Sequence, residues 1–239
     1  MRAIKFVPGH FYHIYNRGVD KRNIFRDETD RWRCLQGLCL FNDEKNSSNI
    51  LWQIEKSRGE VNLKILKDYL IKEGKKPIVH ILAYSLMPNH YHLLVKEFTA
   101  GGITKFMHKF GGGYTRYFNN KHSRSGSLFE GSFKAVQVDN EIYLQYLLVY
   151  INVINPGQLI EPKLKDEGIK DVTALVNAVD GCPWTTHQEY SGNRGSIIID
   201  EEMLNEFFST PEKYRDFVWQ VLADKKYQAI THLTIEKTD

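Results

Sequence analysis

The stretch Met87-Pro88-Asn89-His90-Tyr91-His92-Leu93-Leu94-Val95 puts two histidines, separated by one bulky residue, at the head of an apolar run. Strand side chains alternate between faces, so His90 and His92 project together while Tyr91 points the other way. Ile78 to Met87 reads as a strand and Pro88-Asn89 as a turn, giving a hairpin whose second strand begins with the histidine pair. Two imidazoles on one stiff face can share a divalent cation, although residues so spaced share a face without doing so as well.

Working outward, Phe11 to Tyr15 is aromatic and β-branched, a first strand ending at Asn16-Arg17-Gly18. Asp27-Glu28-Thr29-Asp30 supplies capping and acidic residues ahead of Trp32, Leu35, Leu38 and Cys39, whose spacing predicts an amphipathic helix. Residues 43–76 are polar and lysine-rich and read as an insertion, with a helix around Leu63 to Ile71. After Glu97, the spacing of Ile103, Phe106, Phe110, Tyr114 and Tyr117 predicts a helix from Gly101 to about His122. Gly111-Gly112-Gly113 interrupts it at a cost of about 1 kcal/mol per glycine, which predicts a kink or two separate helices. Phe129 to Val138 is a further strand, and Asp139-Asn140-Glu141 opens an apolar helix through about Ile154, stopped by Pro156.

This order of strand, helix, strand, strand, helix, strand, helix predicts an α+β, ferredoxin-like (RRM-like) antiparallel sheet with helices on one face. Residues 1–156 form the expected main domain, and 157–239 a mostly helical C-terminal extension that is looser up to Gly195 and helical from Glu201 to Leu222. The 239 residues, 42% hydrophobic, suffice for a real core. A formal charge of +3 is too small to argue for a nucleic-acid partner, so only a local cluster could do so. Cys34, Cys39 and Cys182 are odd in number and lack metal-type spacing, which fits a reducing compartment. No apolar run is long enough to span a bilayer and the N-terminus lacks a signal-peptide core, so a soluble, cytoplasmic protein is expected.

A local cluster exists. Phe98 to Phe129 contains Lys105, Lys109, Arg116, Lys121 and Arg124 and no acidic residue. Interleaved with them are Phe106, Phe110, Tyr114, Tyr117 and Phe118, rings able to stack on unpaired bases; a helix with an apolar core face and a solvated basic face gives the same pattern. On the last helix of the main domain, Tyr143, Tyr146 and Tyr150 fall roughly on one face. Core packing is the plain reading of such tyrosines. A phenol facing a metal, however, can attack phosphorus once its proton is removed and the phosphoryl oxygens are polarised.

Taken together, these segments resemble the single-tyrosine HUH transposases (IS200-like), in particular the REP-associated tyrosine transposase branch. The resemblance covers nearly the whole chain: Tyr12-His13-Ile14-Tyr15-Asn16-Arg17-Gly18, Ile24-Phe25 with Asp30, the histidine stretch, Tyr114 to Asn119, Gly126 to Ala135, Tyr143 to Ile151 with Asn155-Pro156, and Cys182-Pro183-Trp184-Thr185-Thr186 with Tyr190 and Gly192. It implies metal-dependent cleavage and rejoining of single-stranded DNA beside a hairpin, through a 5′-phosphotyrosine. Tyr150 would be the nucleophile, with His90, His92 and Asn155 holding Mg²⁺ or Mn²⁺. Arg17 and Lys134 join Lys105, Lys109, Arg116, Lys121 and Arg124 as expected DNA contacts. Smaller members of the family work as dimers with shared sites, whereas the extension here could cover that surface and favour a monomer.

One departure bears on the metal. The family pattern sets an amide four residues after the nucleophile, one helical turn on, but position 154 is Ile and Asn155 comes five after Tyr150. A single π-type turn would bring Asn155 round; otherwise Asn152 or a water would substitute. Glu130 stands where the family often has glutamine, either as a metal-proximal carboxylate or as a strand-surface residue. The competing readings are a catalytically silent hairpin-binding protein and a metal-dependent hydrolase using water as nucleophile.

Overall fold

A computed structural model describes residues 4–44, 74, 76–199, 201–225 and 228–230; the helix expected around Leu63 to Ile71 lies outside them. The main-domain elements are β1 (Phe11–Arg17), α1 (Glu28–Phe41), β2 (Val79–Met87), β3 (His90–Glu97), α2 (Gly102–Lys121), β4 (Lys134–Val138) and α3 (Glu141–Val149). The strands form one sheet in the order β2-β3-β1-β4, each neighbouring pair antiparallel, as the element order predicts for an α+β, ferredoxin-like chain. β4 starts at Lys134, later than expected. Phe129 makes only an isolated bridge to Gly18, and the Glu130 N–H and the Asn16 side-chain amide hold the intervening segment by donating to the carbonyls of Arg17 and Gly131.

Strand alternation divides the sheet into two buried faces. Tyr12, Ile14, Tyr91, Leu93 and Val95 pack with α1 and α2, while Leu94 and Val138 turn the other way. In β2 a register shift between Ile81 and Ala83 flips the parity, so Val79 and Ile81 share the first face with Tyr84 and Leu86. Asp27 caps α1 by accepting from the Asp30 N–H. The buried Glu97 carboxylate caps α2, accepting from the N–H groups of Gly101 and Ile103 at 2.7 Å each.

The expected break at the three glycines does not occur: α2 runs unbroken from Gly102 to Lys121. A Cβ on Gly113 would lie 2.4 Å from the Phe41 ring, so this position is bare because α1 crosses against it. Tertiary packing overrides the propensity cost.

The second face is not left bare. Beyond α3 come α4 (Leu164–Glu167), α5 (Val172–Asp180), α6 (His187–Tyr190), α7 (Glu201–Phe207) and α8 (Pro211–Ala223). Leu164, Leu175, Val179, Tyr214 and Val218 share one core with Leu82, Leu94 and the α3 residues Leu144, Leu147 and Leu148. Helices therefore cover both faces of the sheet, α1 and α2 on the first, and the extension completes a core that α3 begins on the second. Pro183 to Thr186 runs along the outer edge of β2, with Leu86 N–H donating to Trp184 O and Ser85 bridging Thr185. That covers an edge which would otherwise offer unpaired backbone groups.

Candidate active site

His90 and His92 project from β3 toward the second face, their ring centres 5.0 Å apart. Register sets Tyr15 opposite His92, and β1 carries His13 on the same side two residues earlier. His13 Nε2 and His92 Nδ1 are 2.8 Å apart in a fully buried contact. His92 Nε2 is buried and has no hydrogen-bond partner among the described residues. With His92 Nδ1–H donating to His13, that Nε2 presents a lone pair.

His90 is oriented in a parallel way. The Asn89 side-chain N–H donates to Lys21 O at 3.1 Å, which turns its Oδ1 toward His90 Nδ1 at 2.6 Å. An amide oxygen only accepts, so His90 carries its proton on Nδ1 and keeps Nε2 as a lone pair. Burial pulls His90 down to about 3, and the charges of Lys165 and Arg17 add to the effect. Burial likewise holds His92 well below the usual histidine range, with His13, His90 and Lys165 contributing. Both rings are neutral at physiological pH, the state a metal ligand needs.

Tyr150 completes the cluster. Its ring is 5.7 Å from that of His92 and 6.5 Å from that of His13, in both cases edge to face. Tyr146 of the same helix stacks on Phe217 instead. Lys165 of α4 was not picked out from the sequence; its ammonium donates to the Tyr150 hydroxyl at 2.9 Å and sits 4.6 Å over the ring.

The five-residue spacing is accommodated by a π-helical turn, Tyr150–Ile154, in which the Asn155 N–H bonds to Tyr150 O. One extra residue is absorbed, so Asn155 succeeds Tyr150 by one wide turn. Asn155 is fully buried; its Oδ1 accepts from Gln158 Nε2 at 3.2 Å and its Nδ2 has no partner among the described residues. Gln158 Nε2 donates to the Asn155 main-chain carbonyl as well, at 3.4 Å, which fixes the orientation of its amide. Asn152, the other candidate, is committed elsewhere, between Thr186 and Tyr214. Among the described residues no group of three or more His, Cys, Asp or Glu could hold a metal. Glu130 is no metal-proximal carboxylate: it is exposed and pairs with Arg17 at 2.8 Å.

The basic stretch divides. Lys105 and Arg116 are exposed on α2, and Lys134 is exposed at the start of β4. Lys109 donates to Asp43 O, and burial with the neighbouring Lys105 charge lowers its pKa. Arg124 is used within its own loop by Asn119 and Ser127 O. Lys121 bonds both Asp27 and Asp30, joining α2 to α1. The expectation that the interleaved rings stack on bases is corrected: Phe106, Phe110, Tyr114 and Phe118 are buried core, and the Tyr114 hydroxyl donates to Ile24 O. Their helical period of three and four is the period of burial. α2 also lies across the sheet from Tyr150. A cavity of about 580 Å³ at the α2 flank, lined by Asn16, His108, Arg116, Gly131 and Ser132 among others, borders the β1 end that carries Arg17.

The family model described as "Transposase IS200 like" matches residues 7–153, more than half of the chain. The chain belongs to the IS200-like transposase family. The match includes His90, His92 and Tyr150 of this family member, and leaves Asn155 and Lys165 outside it. The transposase chain is also similar to a solved structure described as "Structure of the REP associates tyrosine transposase bound to a REP hairpin", at 11% identity and a TM-score of 0.44, over 84% of this chain and 93% of that one. No curated protein matches it. Among the described residues of this transposase no helix is long and apolar enough to cross a membrane.

Proposed function

We propose that this chain cuts and rejoins single-stranded DNA next to a hairpin, with Tyr150 as the nucleophile. The observation that carries the reading is the Tyr150 phenol packed against the histidine pair, 5.7 Å between its ring and that of His92. The phenol oxygen attacks phosphorus, the bond to the 3′ oxygen breaks, and a 5′-phosphotyrosine and a free 3′-hydroxyl result. Rejoining is the reverse with another 3′ end. The phosphodiester's energy is kept in the covalent bond, so no nucleotide cofactor is required.

A bound Mg²⁺ or Mn²⁺ supplies charge to the phosphoryl oxygens and favours the in-line geometry. His90 and His92 would hold it through Nε2, and Asn155 through its amide oxygen. Asn89 fixes the His90 ring by accepting its Nδ1–H, and the 2.8 Å contact with His13 fixes the ring of His92. Lys105 and Arg116 on the outer side of α2 suit a duplex backbone, and Arg17 and Lys134 a strand passing round the sheet edge to the tyrosine. Lys109, Lys121 and Arg124, engaged within the chain, contribute by shaping that surface.

A labelled oligonucleotide carrying a hairpin and a single-stranded flank, incubated with Mn²⁺, tests the reading. A covalent adduct that disappears in Tyr150→Phe supports strand transfer. Binding without cleavage identifies a silent hairpin-binding protein, and cleavage that survives the substitution identifies a hydrolase.

A further inference from the structure

We infer that Lys165 is a catalytic residue of this reaction, its ammonium donating to the attacking oxygen of Tyr150 and stabilising the negative charge which that oxygen carries as its bond to phosphorus forms and breaks; the inference rests on the reading of Tyr150 as nucleophile. Three observations lead to it. Lys165 Nζ donates to the phenol oxygen at 2.9 Å, the atom that would bond to phosphorus. Tyr150 is only 3% exposed, so a charge on its oxygen would be stabilised chiefly by the groups packed against it, the Lys165 ammonium among them. The same ammonium lies 4.6 Å over the ring and its charge bears on both His90 and His92, so it belongs to the cluster as a whole.

The lysine is held in position by the fold. Leu164, its neighbour on α4, is 1% exposed and packs in the second core. Gly157 lets that segment approach the tyrosine helix, since a Cβ there would lie 2.7 Å from Leu175 and 3.1 Å from Leu164. The C-terminal extension thus delivers a charge to a site whose other parts come from the sheet and α3.

In chemical terms the phenol proton passes to water and the ammonium keeps its three protons. A charge-assisted hydrogen bond then stabilises the oxyanion, about twice as strongly as a neutral bond would. The oxygen–phosphorus bond forms, the bond to the 3′ oxygen breaks, and that oxygen takes a proton from water. On rejoining, the same ammonium stabilises the phenolate as it leaves. Removing a donor aimed at a developing oxyanion typically costs about 100- to 1000-fold in rate.

The test compares the full-length protein with Lys165→Met, Lys165→Gln and Lys165→Arg. The first readout is the initial rate of adduct formation on saturating hairpin oligonucleotide with Mn²⁺. The second is the rate of rejoining, followed as loss of the adduct when a strand with a free 3′-hydroxyl is added. In the Met variant both rates fall about 100- to 1000-fold, and in the Gln variant most of that loss remains. The oligonucleotide concentration that half-saturates the rate is unchanged, and Arg restores most of the rate. Gln keeps a neutral donor and isolates the charge should Met fail to fold. A wild-type protein that forms adducts while neither rate falls in the variants overturns the role of Lys165 and leaves the strand-transfer reading standing. A wild-type protein that forms no adduct overturns that reading, and the role of Lys165 with it.

Discussion

Asn89 and His13 each hydrogen-bond the Nδ1 side of a histidine, Asn89 by accepting from His90 and His13 by a 2.8 Å contact with His92, so that the Nε2 of each ring is the nitrogen left for a metal. Partners of this kind typically contribute about 10- to 100-fold in metal affinity. Asn89→Ala is therefore expected to weaken Mn²⁺ binding by about that factor in a calorimetric titration. Unaltered affinity would mean that His90 is oriented by something else. His90 and His92 were legible from alternation alone. His13 was legible by the same rule, since it lies between the buried Tyr12 and Ile14, but its meeting with His92 depends on the β1–β3 register, which a single strand does not reveal. Lys165 had no signal: it lies in a polar stretch, and only the approach of Leu164 over Gly157 brings it to the phenol.

At the level of elements, the π turn reconciles the odd spacing of Asn155 with a continuous helix, and the sequence could state it only as an alternative to Asn152. The glycine run misled for a different reason. Helix propensity sees three costs, whereas Gly113 is a packing requirement and a Cβ on Gly111 or Gly112 meets nothing within 4 Å. Gly111→Ala and Gly112→Ala should each stabilise the protein by about 1 kcal/mol in a denaturant melt, and Gly113→Ala should destabilise it by about 1–3 kcal/mol. The junction of α1 and α2 carries a pH signature. Burial alone would raise the Asp30 carboxyl, but the Lys121 ammonium, the Arg26 N–H and His122 outweigh it and hold the pKa below the usual range. A depressed carboxyl contributes stability that is present above its unfolded value near ~3.9 and lost as pH falls through the lower folded value. Asp30→Asn should cost ~3 kcal/mol at neutral pH and flatten acid unfolding below that value, and an unchanged acid limb would remove Asp30 from the account.

For the molecule as a whole, the sheet separates two tasks. The exposed lysine and arginine of α2 lie over one face and the tyrosine cluster over the other, so under the proposed function a strand held by both would pass near Arg17 and Lys134. Lys105→Ala and Arg116→Ala should each weaken hairpin binding and lower the slope of log affinity against log salt by about 1, while the Tyr150 chemistry on saturating DNA stays intact. Identical slopes would take α2 out of the DNA interface. The α+β order and the antiparallel sheet could be read from period and punctuation. That the extension closes the second face could not, because its apolar residues are dispersed among short helices that acquire a common side only by packing against α3. The most direct test of the central claim is mass spectrometry of peptides from protein reacted with a hairpin oligonucleotide and Mn²⁺. The account predicts a 5′-linked nucleotide on Tyr150; a nucleotide on Tyr143 or Tyr146, or cleaved DNA with no protein-linked nucleotide, would contradict it.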